Sequence, residues 1–346
     1  MPQTQSLGIN NSTYAGELAL PYIAPAILAA DSIANGYITV HENVKFKAVM
    51  KKLSNAANLL VAESCDFTAT ANDLDLDEVL LIPTEMKVNQ QLCKADFRQD
   101  WEALQTGASL MGDRIPPNFQ TFLLQFLAAK VAEGVELSMW QGNFDPADGA
   151  ATGGVAANFD GIWHHIADAE AAHLITPVAF ANAIDSTNVL DRVDAVVNSA
   201  SSAVLNDTNS KIYMSRKSLY LFQRALGGVV TQATATPGNT AVTAPAQGAL
   251  LTGAIPNTYL GFEIITPAGF PNDCILFAQT GNLHFGCNLT TDQIEATVVD
   301  MTLTDASDNV RVAMRFSGGT QIGHIGDIAA GYIHTATAEE EAEERR

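Results

Sequence analysis

Residues 115–142, IPPNFQTFLLQFLAAKVAEGVELSMWQG, decide how the rest of the chain is read. Apolar side chains recur at Phe119, Phe122, Leu123, Phe126, Leu127, Val131 and Val135, the i, i+3, i+4, i+7 spacing that lines one side of an α-helix. Pro116 and Pro117 stand where a helix start tolerates proline, and Gly142 with the following Asp145, Pro146 and Gly149 ends it after about 24 residues. At the rise of an α-helix that is roughly 36 Å, the width of a domain. Gln120, Gln125, Lys130, Glu133 and Glu136 fall on the other side and predict a solvated face. Nothing on this helix suggests catalysis; it reads as a spine on which other elements pack.

The 346 residues suffice for one large or two medium domains with a substantial core. Hydrophobic content of 47% and charged content of 16% are ordinary, but a net charge of −20 is not. An acidic chain without a Lys/Arg cluster is repelled by phosphate, which argues against sequence-specific nucleic-acid binding. Cys65, Cys93, Cys274 and Cys287 show no CxxC spacing and are expected to be reduced packing residues. The start, MPQTQSLGINNSTY, lacks the basic and apolar blocks of a signal peptide. The apolar run from Leu18 to Ala30 contains Pro21 and Pro25 and is too short to span a bilayer, so no membrane partner and a cytoplasmic origin are expected.

Residues 1–43 read as an arm: a polar, turn-rich start, then a short apolar helix ended by Gly36. Such an arm has too little to bury alone and must pack on its own body or on a neighbour. Residues 44–101 change to strand character. Cys65, Phe67 and Ala69 alternate with polar residues, and after the acidic turn NDLDLDE the string VLLIPTEMKVNQQLCKADF places Met86, Val88 and Leu92 on one parity. This predicts a long two-stranded ribbon, which needs a partner surface because an isolated hairpin is marginal in water.

After the spine a Gly/Ala-rich linker, FDPADGAATGGVAANF, leads to FDGIWHHIADAEAAHL. Residues 187–205 carry helical spacing at Val189, Leu190, Val193, Val196, Val197 and Val204, with Asp185 or Ser186 as the cap. KIYMS predicts a buried strand, SLYLFQRAL a short helix, and the Thr/Ala/Gly-rich residues 227–253 a surface loop. The last third is β-rich. TYLGFEIITPAGFPNDCILFAQ gives strand, turn, strand; IEATVVDMTLT and NVRVAMRF flank DASD as a hairpin with Val310, Val312, Met314 and Phe316 on one face and Arg311 and Arg315 on the other. AEEEAEERR is a charged tail with nothing to bury.

Several fragments approach catalytic or binding motifs, and each lacks a residue the chemistry needs. Gly149 to Gly154 has the spacing of a phosphate loop, but Val155 and Ala156 replace the lysine and the Mg²⁺ hydroxyl, so a flexible linker explains the same residues. Asp73, Asp75 and Asp77 imitate the start of a calcium loop, yet Glu78 holds the glycine position and Thr84 that of the bidentate glutamate. His164, His165, Asp168 and His173 form the single cluster with metal-ligand character; His164 and Asp168 would be helical i, i+4 neighbours, but no HExxH is present, and surface or packed histidines are the simpler reading. No GxSxG or strand-following GxGxxG occurs. No catalytic, cofactor-binding or metal residue is therefore assigned.

The order of parts, and the strings AGELALPYIAPAIL, NGYITV, PTEMKVNQQLCKADFRQDW, VELSMWQG with FDGI, YLGFEIITPAGFPNDCILFAQTGNLHFG and DNVRVAMRFSGGTQIG, resemble the major capsid proteins of tailed double-stranded-DNA bacteriophages with the HK97-like fold. The resemblance implies an α+β subunit. Residues 1–43 would be the N-terminal arm, 44–105 the extended loop, 106–158 the peripheral domain's spine helix and linker, 159–285 the axial domain, 286–336 the peripheral β return and 337–346 a charged tail. It implies a non-enzymatic shell protein of the virion, assembled in the host bacterial cytoplasm into hexamers and pentamers around DNA bound without sequence specificity. A separate scaffolding protein, a portal protein and a decoration protein are the partners it suggests. An acidic inner wall would let DNA pack and leave freely. Some members crosslink a loop lysine, for which Lys87 or Lys94 could be nominated, although a rim charge accounts for either. Two alternatives compete: an encapsulin-like cellular compartment of the same fold, and a metal-dependent hydrolase using His164, His165 and His173. On the container reading, removing residues 1–43 should leave a folded subunit that cannot close a shell.

Overall fold

A computed structural model describes residues 12–14, 31–54, 75–93, 117–145, 158–226, 257–288, 296–301, 307 and 309–333. The first elements are β1 (Ser12–Tyr14), α1 (Asp31–Ala34), β2 (Thr39–His41), β3 (Ala48–Ser54), β4 (Asp75–Leu81) and β5 (Thr84–Cys93). The spine, α2 (Pro117–Gln141), and α3 (Ile162–Ala171), β6 (Val178–Phe180), α4 (Val189–Ser199), α5 (Ser202–Leu205), β7 (Ser210–Met214) and α6 (Arg216–Leu226) follow. The chain closes with β8 (Thr258–Tyr259), β9 (Phe262–Ile265), β10 (Ile275–Gln279), β11 (Leu283–Cys287), β12 (Ala296–Asp300), β13 (Asn309–Ile322) and β14 (Ile328–Ile333).

Strand β13 organises the first sheet. Its residues 309–318 pair antiparallel with β5, while 310–314 also pair with β12, so these two strands occupy opposite edges. Its last five residues pair antiparallel with β11, β2 joins β11 in parallel, and β1 lies outside β12. Alternation fixes the register: Val310, Val312 and Met314 are buried while Arg311 and Arg315 are exposed, the division of faces read from the sequence. Met86, Val88 and Leu92 on β5 pack against the same core, as their shared parity requires.

The second sheet runs β6-β14-β10-β7-β9-β8. It is covered on both faces, which explains why its strands read as continuous apolar runs. Ile212 and Met214 of β7 and Ile275 and Phe277 of β10 face a core capped by Val189, Val193, Val196 and Val197 of α4 and Leu219 and Phe222 of α6. Tyr213, Leu276 and Ala278, one residue out of phase, face the other core with the spine helix and α3. There Trp140 lies 5.1 Å from Phe270 and 5.5 Å from Tyr213, and Trp163 lies 5.7 Å from both Phe270 and Tyr332, ring centre to ring centre. These tilted and edge-on aromatic pairs join helices to sheet.

The spine has 25 residues, close to its expected length. Its end is local: the Gly142 amide donates to the Ser138 carbonyl at 2.9 Å, and Asn143 then takes φ 57°, a left-handed turn that asparagine tolerates. Ala132, Val135 and Met139 are buried, and Lys130 and Glu133 form an exposed ion pair at 2.6 Å. Glu136 corrects the solvated-face reading, for it is buried beside Trp140. The side chains of Phe119, Gln120, Phe122, Leu123, Gln125 and Phe126 lie outside those described.

Four other expectations change. The strand read through VLLIPTEMKVNQQLC is two strands: Pro83 interrupts it, β4 pairs with β3, and β5 leaves the ribbon for β13. The helix read over 187–205 breaks at Ala200, whose ψ of 149° is extended, and resumes after Ser201, which caps α5. Its N-cap is Asn188; Asp185 instead closes the preceding turn by accepting the Thr187 hydroxyl and the amides of Thr187 and Asn188, and these hydrogen bonds, the hydroxyl's first, hold its carboxyl below the usual range. The segment 286–336 does not form one β return, since β14 lies between β6 and β10 in the second sheet, next to strands from 178–279. Residues 15–30, Cys65, Phe67, Ala69, the linker 146–157, the loop 227–253 and the tail 337–346 lie outside the described residues.

Candidate assembly surface

Two places decide what this fold presents to other molecules: the anchor of the N-terminal segment and the ribbon. The anchor begins on the spine. Glu136 accepts the Ser32 hydroxyl at 2.5 Å and the Ser32 amide at 3.2 Å, while the Trp140 indole N–H lies 2.8 Å from Ser32 Oγ and 3.2 Å from Glu136 Oε1. Ser32 is fully buried and Ile33, Ile38 and Val44 are buried with it. Tyr213 donates its hydroxyl to the Tyr37 carbonyl at 2.9 Å; burial pushes that phenol's pKa up, so it remains a donor. Of the two places sequence allows for the arm, residues 31–44 thus take the body of their own chain.

Behind the anchor, WQG and FDGI pack backbone to backbone. The Gly161 amide donates to the Gly142 carbonyl at 2.9 Å, and a Cβ on Gly142 would overlap the Phe159 and Ser138 carbonyl oxygens. Only glycine permits that approach. It seats α3 beside the spine, and the Thr320 hydroxyl donates to the Asp160 carbonyl to tie the same turn to β13.

The ribbon has a different character. β3 and β4 pair over seven positions, from Ala48 opposite Leu81 to Ser54 opposite Asp75, as a separate two-stranded sheet. Its root is fixed by Leu81, fully buried, whose methyl groups occupy the space a Cβ on Gly286 would need. Beyond that root Val49, Leu76 and Leu80 are exposed, and so are Phe46 and Ile82, which flank the root just before β3 and just after β4. Val49 and Leu80 are directly opposite, hence on one face, with Lys51 and Glu78 as the next pair on that face. That charged pair separates Val49 and Leu80 from Leu76 along the face, so a hairpin that would be marginal alone presents two exposed apolar sites, one on either side of it. Alternation in the sequence predicted a ribbon; which side chains stay exposed was not readable until pairing was known.

The sequence-nominated chemistry does not assemble. His164 Nδ1 donates to the Asn143 carbonyl at 3.2 Å, and its Nε2 lies 3.2 Å from Asp168 and 3.5 Å from Asp160. His165 Nε2 donates to the Thr320 carbonyl at 3.0 Å, and burial pushes its pKa down. His173 sits exposed at the end of α3 with φ 55°. Among the described residues no group of three His, Cys, Asp or Glu side chains could hold a metal. Asp75 and Asp77 lie on strand β4 instead of a calcium loop, and Asp73 lies outside the described residues. Lys87 is exposed on β5 opposite Arg315; Lys94 lies outside the described residues, as does the glycine run 149–154. Cys274 and Cys287 are buried and Cys93 partly so. No described helix is long and apolar enough to cross a membrane.

No protein-family model and no curated protein sequence matches this chain. Solved structures do. A chain of the satellite phage P4 procapsid including the size determination (Sid) protein is similar over 91% of this chain and 90% of its own, at 12% identity and a TM-score of 0.56. The capsid of the native GTA particle is similar over 90% of both chains, at 12% identity and a TM-score of 0.51. A chain from Gordonia phage Cozz covers 88% of this chain and 87% of its own, at 11% identity and a TM-score of 0.50. The chain has the fold of phage capsid proteins.

Proposed function

We propose that this chain is the major capsid protein of a tailed bacteriophage, assembling with copies of itself into the hexamers and pentamers of an icosahedral head around double-stranded DNA. The observation that carries the proposal is the likeness to capsid structures across nine-tenths of both chains. The physics agrees. A ribbon that exposes three large apolar side chains, with two more flanking its root, is stabilised when a neighbouring copy covers it, and a closed shell repeats that contact for every subunit.

On this reading the subunit follows the HK97-like plan. Residues 1–43 form the arm, 44–105 the extended loop, 106–158 the spine helix and linker, 159–285 the axial domain, 286–336 the peripheral return and 337–346 the tail, with β14 contributing to the axial sheet. The protein is structural and not enzymatic. It is built in the host bacterial cytoplasm with a separate scaffolding protein, meets a portal protein at one vertex, carries a decoration protein where the outer surface offers a site, and ends in the virion.

Electron microscopy of the purified full-length chain tests this. Hexamers, pentamers or closed shells are expected, and a compact monomer persisting at high concentration would refute it. Nucleic acid inside co-purified particles separates a phage head from an encapsulin-like compartment, which would carry an enzyme.

A further inference from the structure

The end of the N-terminal segment carries a feature that assembly alone does not require. β2 is three residues long, pairs in parallel with β11, and is the last strand on its side of the first sheet. Across that pairing His41 Nε2 lies 3.0 Å from His284 Nδ1, with the ring centres 5.0 Å apart. A hydrogen bond between two imidazole nitrogens exists only while one of them is bare. When both rings are fully protonated there are two donors, no acceptor and two like charges in contact.

We propose that the His41–His284 pair is an acid-released latch that holds residues 39–41 on the first sheet near neutral pH and lets them go on acidification. The surroundings offer no compensating charge. From β2 the side chains of Thr39 and Val40 are uncharged, and from β13 the residues opposite and beside His284 are Thr320, Gln321 and Ile322. Behind His284 the chain passes closely at Gly323. Beyond it His324 and Asp327 lie 3.7 Å from each other, and the His324 ring accepts the Gly326 amide. Glu42 is exposed on the water side. Burial first, and His41 second, depress the His284 pKa from 6.5 to about 4.

The direction follows from linkage. A base whose pKa is depressed in the closed form stabilises that form above pH 6.5, and the stabilisation falls as pH drops from 6.5 towards 4. With those two values the opening equilibrium rises about 25-fold between pH 7.5 and pH 5.0. The other strands of the sheet have no such pair, so release is local to β2.

Hydrogen exchange on the full-length chain, expressed as protection relative to the intrinsic rate at each pH, tests the latch. Peptides covering residues 38–44 should lose about 25-fold in protection over that pH range while β10, at the centre of the other sheet, stays constant. His284→Gln should abolish the pH dependence, since a neutral amide can still pair with His41. His284→Asn is the second variant, should the first fail to fold. Protection at 38–44 that does not change with pH in the wild type overturns the proposal. So does a pH-dependent loss that persists in the variants, or one in which β10 opens together with β2.

Discussion

Replacing Phe46, Leu76 and Ile82 together by serine should disable association while leaving the subunit folded. These side chains are 80%, 57% and 58% exposed in the isolated chain, so the fold gains little from them. If a neighbouring copy buries what is exposed, the three contribute about two fully buried large apolar side chains, or roughly 4 kcal/mol per copy. That corresponds to about three orders of magnitude in the concentration at which copies associate. Thermal unfolding of the unassembled subunit should shift little, because exposed positions away from special features change stability by about 0.5 kcal/mol or less. Sedimentation velocity and light scattering across a concentration series give the association midpoint. A triple variant that assembles at the wild-type concentration refutes the ribbon as an assembly surface. A variant whose unassembled form loses several kcal/mol shows instead that the ribbon is part of the subunit's own core.

Glu136→Ala strips the hydrogen-bond acceptor from Ser32 and Trp140 inside the core, and urea unfolding should show a loss of about 3–5 kcal/mol. Gly142→Ala and Gly134→Ala should differ in sign. The first forces a methyl group into the Phe159 and Ser138 carbonyls and should cost about 3 kcal/mol, whereas the second fills open space in the middle of the spine and should gain about 0.5–1 kcal/mol in the same assay. Deleting residues 1–43 should destabilise the subunit by several kcal/mol by removing buried Ile33 and Ile38 and the Ser32 anchor, while deleting 1–30 spares them and should cost less. This revises the expectation that the whole arm is dispensable for folding.

What was legible in the sequence is what neighbouring residues decide between themselves. A helix over 117–141, the alternation of β13 and the parity of Met86, Val88 and Leu92 follow from repeats of 3.6 and 2 written into short windows, and the structure keeps the helix and both strand patterns. The ordered strings carried the capsid fold as well, and at one of them, WQG with FDGI, two glycines let the backbones meet. The tertiary structure alone decided partners. Nothing local tells β5 to leave the ribbon for β13, sends β14 into the second sheet, or brings Ser32 to Glu136 across 104 residues of chain. Glu136 shows why. On a helical wheel a carboxylate reads as solvated because water is its cheapest partner, and only the arrival of a distant hydroxyl, amide and indole makes burial affordable. Periodicity specifies which face of an element is apolar, whereas which surface that face meets depends on contacts between residues far apart in the chain.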